Sequence, residues 1–141
     1  MRILQIHNRY RLRGGEDTVV EQEAELLRAA GHQVAQLQVE NPEEAIPAAR
    51  ALMRAPWNGA AARRAAEAAA SARPDLAHVH NTWFSLSPAI FPALQESGLP
   101  VVATLHNYKL LCASGDFFRD GAVCHDCAGG VPVSALVHRC Y

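Results

Sequence analysis

Two rhythms of apolar residues alternate along this chain. Short apolar stretches lie at residues 2–7, about 33–39, 76–80 and 100–106, each bounded by turn-forming residues. Runs of this length read as strands covered on both faces. Between the first two, Val20, Ala24 and Leu27 recur at i, i+4 and i+7, with Val19 and Leu26 beside them. That spacing predicts a helix over 18–30 with this stripe against a sheet. Asp17 or Thr18 is placed to cap its start, and Gly31 to end it. From Ala45 to Ala72, 14 of 28 residues are alanine, so two helices are expected there, parted by Pro56-Trp57-Asn58-Gly59. The alanine density reads as compositional bias, not as a functional repeat. A short helix is expected from Pro88 to Ser97, with Gly98 after it.

Strand–helix alternation implies right-handed crossovers and a parallel sheet with helices on both faces. The expected fold is therefore α/β and Rossmann-like, with strand order 2-1-3-4 and a switch point between strands one and three. After Tyr108 the rhythm stops. Residues 1–108 are expected to form the Rossmann-like domain, and residues 109–141 a Cys-rich, irregular extension of it.

The 141 residues are 50% hydrophobic and 19% charged with a net charge of -1, which fits a globular domain with a real core. The absence of a basic excess speaks against a nucleic-acid partner. The seven histidines make the charge sensitive to pH between about 5 and 7. No run approaches the roughly 20 apolar residues of a membrane span, and the N-terminal stretch lacks the apolar core of a signal peptide. A cytoplasmic location is expected.

Three of the strands lead into the same dipeptide: His7-Asn8, His80-Asn81 and His106-Asn107. Parallel neighbours end on one edge of a sheet, and ligands of open α/β sheets bind outside those carboxyl ends. These six residues are the leading ligand contacts, suited to hydroxyl-rich or phosphate ligands. His106 follows the longest strand and is the best placed for an active-site contact; the competing reading is a structural histidine held by a carbonyl. His78 alternates with His80 on the same face and lies deeper, as a packed residue would. A three-His metal site is the lesser reading, because no carboxylate accompanies the histidines at ligand-like spacing.

Arg13-Gly14-Gly15-Glu16 joins strand one to the first helix. Adjacent glycines permit positive φ and close approach of a ligand, and a helix start favours an anion. A plain tight turn is the other reading. Arg2, Arg9, Arg11 and Arg13 strengthen the ligand reading. Glu16 and Asp17 suit the helix dipole and could also bind sugar hydroxyls.

The cysteines run Cys112-x11-Cys124-x2-Cys127-x12-Cys140. This spacing fits a structural Zn2+ with four thiolate ligands. An iron–sulfur cluster, two disulfides and four free thiols are the alternatives, and His125 and His138 are substitute ligands. Asp120-Gly121 between Phe117-Phe118-Arg119 and Ala122-Val123 predicts a small hairpin.

As an ordered set, several segments resemble the N-terminal half of family 4 glycosyltransferases, of the GT-B fold. They are Ile3-Leu4-Gln5-Ile6-His7, Gly14-Gly15, Ala30-Gly31-His32-Gln33-Val34, Asp75-Leu76-Ala77-His78-Val79-His80 and Val101-Val102-Ala103-Thr104-Leu105-His106. The Cys tail, with Leu105 to Cys112 and His138 to Tyr141 as flanks, is similar to that of a subgroup. The resemblance implies retaining sugar transfer from a nucleotide-sugar donor. It implies that this half mainly binds the acceptor, a polysaccharide precursor or lipid-linked sugar, often near the inner face of a membrane. It places the Gly14-Gly15 loop near the donor phosphates and His106 at the reaction centre. The family's Glu-x7-Glu donor motif is missing, since Glu16 and Glu23 have six residues between them and not seven. Efficient transfer is therefore expected only with a C-terminal donor-binding domain or partner subunit. A face left open by that half would also suit peripheral membrane contact or a homodimer. Two further readings are a non-catalytic sugar- or partner-binding module stabilised by zinc, and a metal-dependent hydrolase using the histidines.

Overall fold

In a computed structural model, residues 1–10, 12–130 and 133–140 are described. Arg11 and Tyr141, singled out above, lie outside them. The chain divides into two compact units, Met1–Thr104 and Leu105–Tyr141.

The first unit is built on a parallel sheet of β1 (Arg2–Arg9), β2 (Gln33–Glu40), β3 (Leu76–Val79) and β4 (Val101–Ala103), in the order β2-β1-β3-β4. The crossovers carry α1 (Gly15–Ala29), α2 (Ala45–Met53), α3 (Gly59–Ala72) and α4 (Ile90–Glu96). The α/β, Rossmann-like fold and its strand order are as the sequence predicts. Strand β4 is shorter than the apolar run 100–106, because it has a neighbour on one side only and its pairing ends where β3 ends.

Register divides the sheet into two unlike faces. Leu4 pairs with Ala77 and Ile6 with Val79, which sets these four side chains in adjacent rows on one face. Ala61, Ala65 and Ala69 of α3, Ile90 and Leu94 of α4, and Leu86 pack there as the apolar core. The small alanines at i and i+4 form the inner stripe of α3, so the compositional bias has a packing consequence. Asn58 caps α3, its Oδ1 accepting from the N–H groups of Ala60 and Ala61, both at 3.2 Å.

The other face is covered by α1, and it is polar. Val20 and Ala24 are buried as expected, whereas Val19 and Leu26 point outward, 44% and 70% exposed. Their places on the inner face are taken by Asp17 and Glu23, which meet histidines of the sheet. Helix α1 ends at Gly31 in the left-handed region, φ +84°, with the Gly31 N–H donating to the Arg28 carbonyl.

The second unit holds a two-stranded antiparallel ribbon, β5 (Phe118–Arg119) and β6 (Ala122–Val123), and a short helix α5 (Val133–Val137). Asp120 and Gly121 turn the hairpin with φ of 54° and 81°, the double positive φ of a tight two-residue turn. Among the described residues, no helix is long and apolar enough to cross a membrane.

Candidate functional site at the carboxyl edge of the sheet

Parallel pairing of β1 with β3 brings two of the three His-Asn pairs together. The Asn8 N–H donates to the Asn81 carbonyl at 2.8 Å, and Asn81 Nδ2 donates to the Asn8 carbonyl at 2.9 Å. Asn8 Oδ1 accepts from the N–H groups of Ser85 (2.9 Å) and Leu86 (3.1 Å), while its Nδ2 donates to Asn41 Oδ1 at 3.0 Å. Asn81 Oδ1 accepts from the Trp83 N–H at 3.0 Å. Both asparagines are buried, so these polar atoms hold the loop after β3 in place. That loop, with Ser85 Oγ donating to Asn41, forms the rim of the edge.

His7 is equally enclosed. Its Nε2 lies 3.0 Å from Asp17 Oδ1, and Asp17 Oδ2 accepts from the Gly14 N–H at 2.8 Å. Burial pushes the Asp17 carboxyl up, but the Gly14 N–H, His7 and Arg9 together outweigh it and leave the group below its ordinary value. The end of β1, the glycine loop and the start of α1 are thereby tied together.

The glycine loop itself differs from expectation. Gly14 is the N-cap, with an extended φ of -116°, and Gly15 opens α1; neither has positive φ. A Cβ added at either would meet no heavy atom of the chain within 4 Å. The backbone therefore does not require glycine here, and what the two residues leave is open space before a helix start. The arginines are also distributed differently. Arg2 pairs with Asp75 at the amino end of β1, at 3.4 Å, because an eight-residue strand separates it from the loop. Arg9 pairs with Glu40 at 3.5 Å, and Arg13 pairs with Glu21.

Arg9, Tyr10, Arg13, Glu40, Asn41 and Glu43 border a cavity of about 370 Å³ at the ends of β1 and β2. Its mixed charges suit a neutral, hydroxyl-rich ligand better than a bare anion. Sequence reasoning missed Glu40 and Asn41. The signal was present, since this polar pair closes strand two as the His-Asn pairs close the others.

Beneath α1 runs a polar chain that crosses the whole sheet. Gln36 Nε2 donates to Gln5 Oε1 (2.8 Å), and Gln5 Nε2 donates to the Val20 carbonyl (3.2 Å) and lies 3.3 Å from His80 Nε2. Glu23 Oε2 is 3.3 Å from His80 Nε2, and Glu23 Oε1 is 2.7 Å from His78 Nδ1. His78 Nε2 reaches Thr104 Oγ1 at 2.8 Å. The expectation that no carboxylate accompanies the histidines is thus corrected. Glu23 is distant in sequence but sits on the inner face of α1, one residue before the buried Ala24.

His106 and Asn107 follow β4 and belong to the second unit, where Asn107 Oδ1 accepts from the Lys109 N–H at 3.1 Å. In the same unit all four cysteines are free of disulfides. Cys112, Cys124, Cys127 and Cys140 line one cavity of about 10 Å³ with Phe117, Arg119 and Ala135. That volume admits one small occupant. A hydrogen bond with Ser114 and the N–H groups of Gly115, Phe117 and Ser114 lower the Cys112 thiol to about 7 against a weaker effect of burial.

A parallel sheet with this order and helices in its crossovers defines a Rossmann-like α/β domain. The family model of Glycosyltransferase Family 4 matches residues 13–119, from the glycine loop to the hairpin. The chain belongs to that family. Neither the curated proteins nor the solved structures compared with it gave a match.

Proposed function

We propose that this chain is the acceptor-binding half of a retaining glycosyltransferase that uses a nucleotide-sugar donor. The observation that carries this reading is the family match, which takes in the glycine loop, the polar ends of the second and third strands and His106. The cavity between Arg9, Glu40 and Asn41 supports a saccharide acceptor, because paired charges can share hydroxyl hydrogen bonds in both directions. Donor contacts come chiefly from a second domain, joined in the same chain or as a partner subunit, which closes the cleft and excludes water. His106 is the residue of this half at the reaction centre, and Gly14, Gly15 and Glu16 border the donor phosphates. The acceptor is a saccharide or lipid-linked sugar. Exposed Leu105, Tyr108, Leu110 and Leu111 favour peripheral membrane contact on the cytoplasmic face.

The four cysteines hold a structural Zn2+ in the same reading. Four cysteines that line one small cavity without disulfides supply the ligand types of a closed structural zinc site. The zinc supplies cross-linking of loops and takes no part in transfer.

The test is sugar transfer from a nucleotide-sugar to a lipid-linked saccharide, with the chain assayed together with a donor-binding half. Transfer that His106→Ala abolishes, with the fold intact by circular dichroism, is the expected result. Full activity of that variant makes His106 structural. A second reading, a zinc-stabilised module that binds a sugar or partner without turnover, draws on the apolar surface of the second unit. It predicts saccharide or partner binding with no transfer under any pairing.

A further inference from the structure

Glu23, His78 and His80 present three donor atoms that all lie within 4.8 Å of one another. From this we infer a second metal site in the chain, a divalent transition ion of the zinc type held between α1 and β3 by these three residues.

The argument begins with a conflict at one atom. The Gln5 amide is oriented by two bonds, its Oε1 accepting from Gln36 and its Nε2 donating to the Val20 carbonyl. Its NH2 group therefore faces His80 Nε2, which must offer a lone pair to receive it. Glu23 Oε2 faces the same nitrogen at 3.3 Å, and a carboxylate oxygen needs a proton or a cation there. One nitrogen cannot satisfy both neighbours: with a proton it repels the amide, and without one it repels the carboxylate. A cation seated between Glu23 and His80 removes the repulsion between the carboxylate and the nitrogen, because both then direct lone pairs at it, and the Gln5 amide keeps its bond to the Val20 carbonyl.

Geometry and donor type agree. Zinc bonds of about 2.0–2.2 Å at a tetrahedral angle place donor atoms roughly 3.3 Å apart, the spacing found between His80 Nε2 and Glu23 Oε2. His78 Nδ1 and Glu23 Oε1, at 2.7 Å, make a direct hydrogen bond that the ion would replace. On the far side of that ring, His78 Nε2 lies 2.8 Å from Thr104 Oγ1, the outer hydrogen bond that metal-ligating histidines use to fix their tautomer. The imidazole rings lie 4.2 Å apart, so two imidazolium charges would repel at close range, whereas one divalent ion serves both rings in their neutral form. Two imidazoles and one carboxylate select zinc, copper or nickel over magnesium or calcium. The side chain of His80 is fully buried, while those of Glu23 and His78 are 26% and 14% exposed, so an ion reaches the site from their side. The ion would anchor α1, and with it the glycine loop, to the neighbouring strand. This inference does not depend on the glycosyltransferase reading or on the cysteine site.

The test is titration of the full chain, freed of metal, with Co2+, followed by visible absorption and by metal content after dialysis. Thiolate-bound cobalt carries a sulfur charge-transfer band that a His/Glu site lacks, so the two sites are read separately. The expected result is one equivalent bound without that band, not displaced by Mg2+ in excess, and lost in Glu23→Gln and in His78→Gln. Zn2+ should raise the melting temperature of the first unit in the wild-type chain and leave both variants unmoved. If all the bound cobalt in the wild-type chain shows the sulfur band, the inference is overturned whatever the variants do. It is also overturned if folded Glu23→Gln keeps the sulfur-free equivalent.

Discussion

The two units are held together by opposite means. The first buries Leu4, Ile6, Val79, Leu86, Ile90 and Leu94 around a central strand whose residues from Ile3 to Asn8 are all buried. The second has 37 residues, and among those described Ala135 is its one buried hydrophobic side chain. Its larger apolar residues, among them Leu110, Phe118, Val123 and Leu136, are exposed. Burial at about 25 cal/mol per Å² of apolar surface can order the first unit but has almost nothing to act on in the second. What the second unit has instead is polar stitching. Asp116 Oδ1 accepts from the Ser114 hydroxyl and the Phe118 N–H, Arg119 pairs with Asp126 at 2.9 Å, and four cysteines face one cavity. A segment of this size without a core is the kind that cross-links stabilise, and the proposed zinc would supply one.

The sharpest way to break the comparison is to remove the cross-link. A chelator strong enough to strip zinc from thiolates, or Cys127→Ser, should unfold residues 105–141 and leave the sheet folded. Structural zinc in small domains contributes on the order of 10 kcal/mol, far more than the second unit can replace by burial. Limited proteolysis with mass spectrometry reads the outcome. Cleavage confined to the second unit is expected; an unchanged digestion pattern removes zinc from the account.

Next in size are core and clamp in the first unit. Leu4→Ala should cost about 2–5 kcal/mol in urea unfolding, with no matching change in a probe placed in the second unit. Asn8→Ala should cost about 2–4 kcal/mol, because it leaves the N–H groups of Ser85 and Leu86 without the acceptor that holds them. The Asn8 variant tests whether this strand-end residue acts by holding the rim. If saccharide binding falls while unfolding is unaffected, the side chain contacts ligand and the clamp is incidental.

These clamps mark where sequence reading succeeds and where it stops. The strand order followed from apolar runs alternating with helical stripes, because both signals are local. The polar face under α1 was not legible. Gln5, His7 and His80 look like surface residues one at a time, and each is buried because a partner 15, 10 or 75 residues away meets it: the Val20 carbonyl, Asp17 and Gln5. Asp17 and Glu23 likewise face the histidines from the inner side of α1, while Val19 and Leu26 point outward. His7-Asn8 and His80-Asn81 fall at the ends of β1 and β3, whereas His106-Asn107 lies beyond the end of β4, and the first two asparagines spend their side chains on backbone groups around the loop after β3. That use depends on loop geometry, which residue types do not encode.

Acid provides a milder test of the polar face. The Asp17 carboxyl is held below its ordinary value, so its deprotonated form favours the folded state. Its contribution is present above the unfolded value of about 3.9 and is lost as pH falls through the lower folded value. The urea midpoint of the wild-type first unit should therefore drop more steeply below about pH 4 than that of Asp17→Asn, which has no such proton to take up. Parallel acid slopes for the two proteins would remove Asp17 from the pH response.

The smallest effect on stability is the most informative about ligand. Gly15 sits in the first turn of α1 without positive φ, and an added Cβ has open space around it. Gly15→Ala should leave the fold unharmed or stabilise it by about 0.4–1 kcal/mol, since alanine restricts the unfolded chain and favours helix. A plain turn predicts nothing more. If donor phosphates approach this helix start, the same methyl group stands where the phosphate oxygens would lie. Nucleotide-sugar affinity of the paired enzyme should then fall while the melting temperature holds or rises. Stability and binding moving in opposite directions would assign the glycine to the ligand, because the chain itself gives glycine no structural reason to be there. Both unchanged would leave a simple helix start, and the donor would have to be held by the other half of the enzyme.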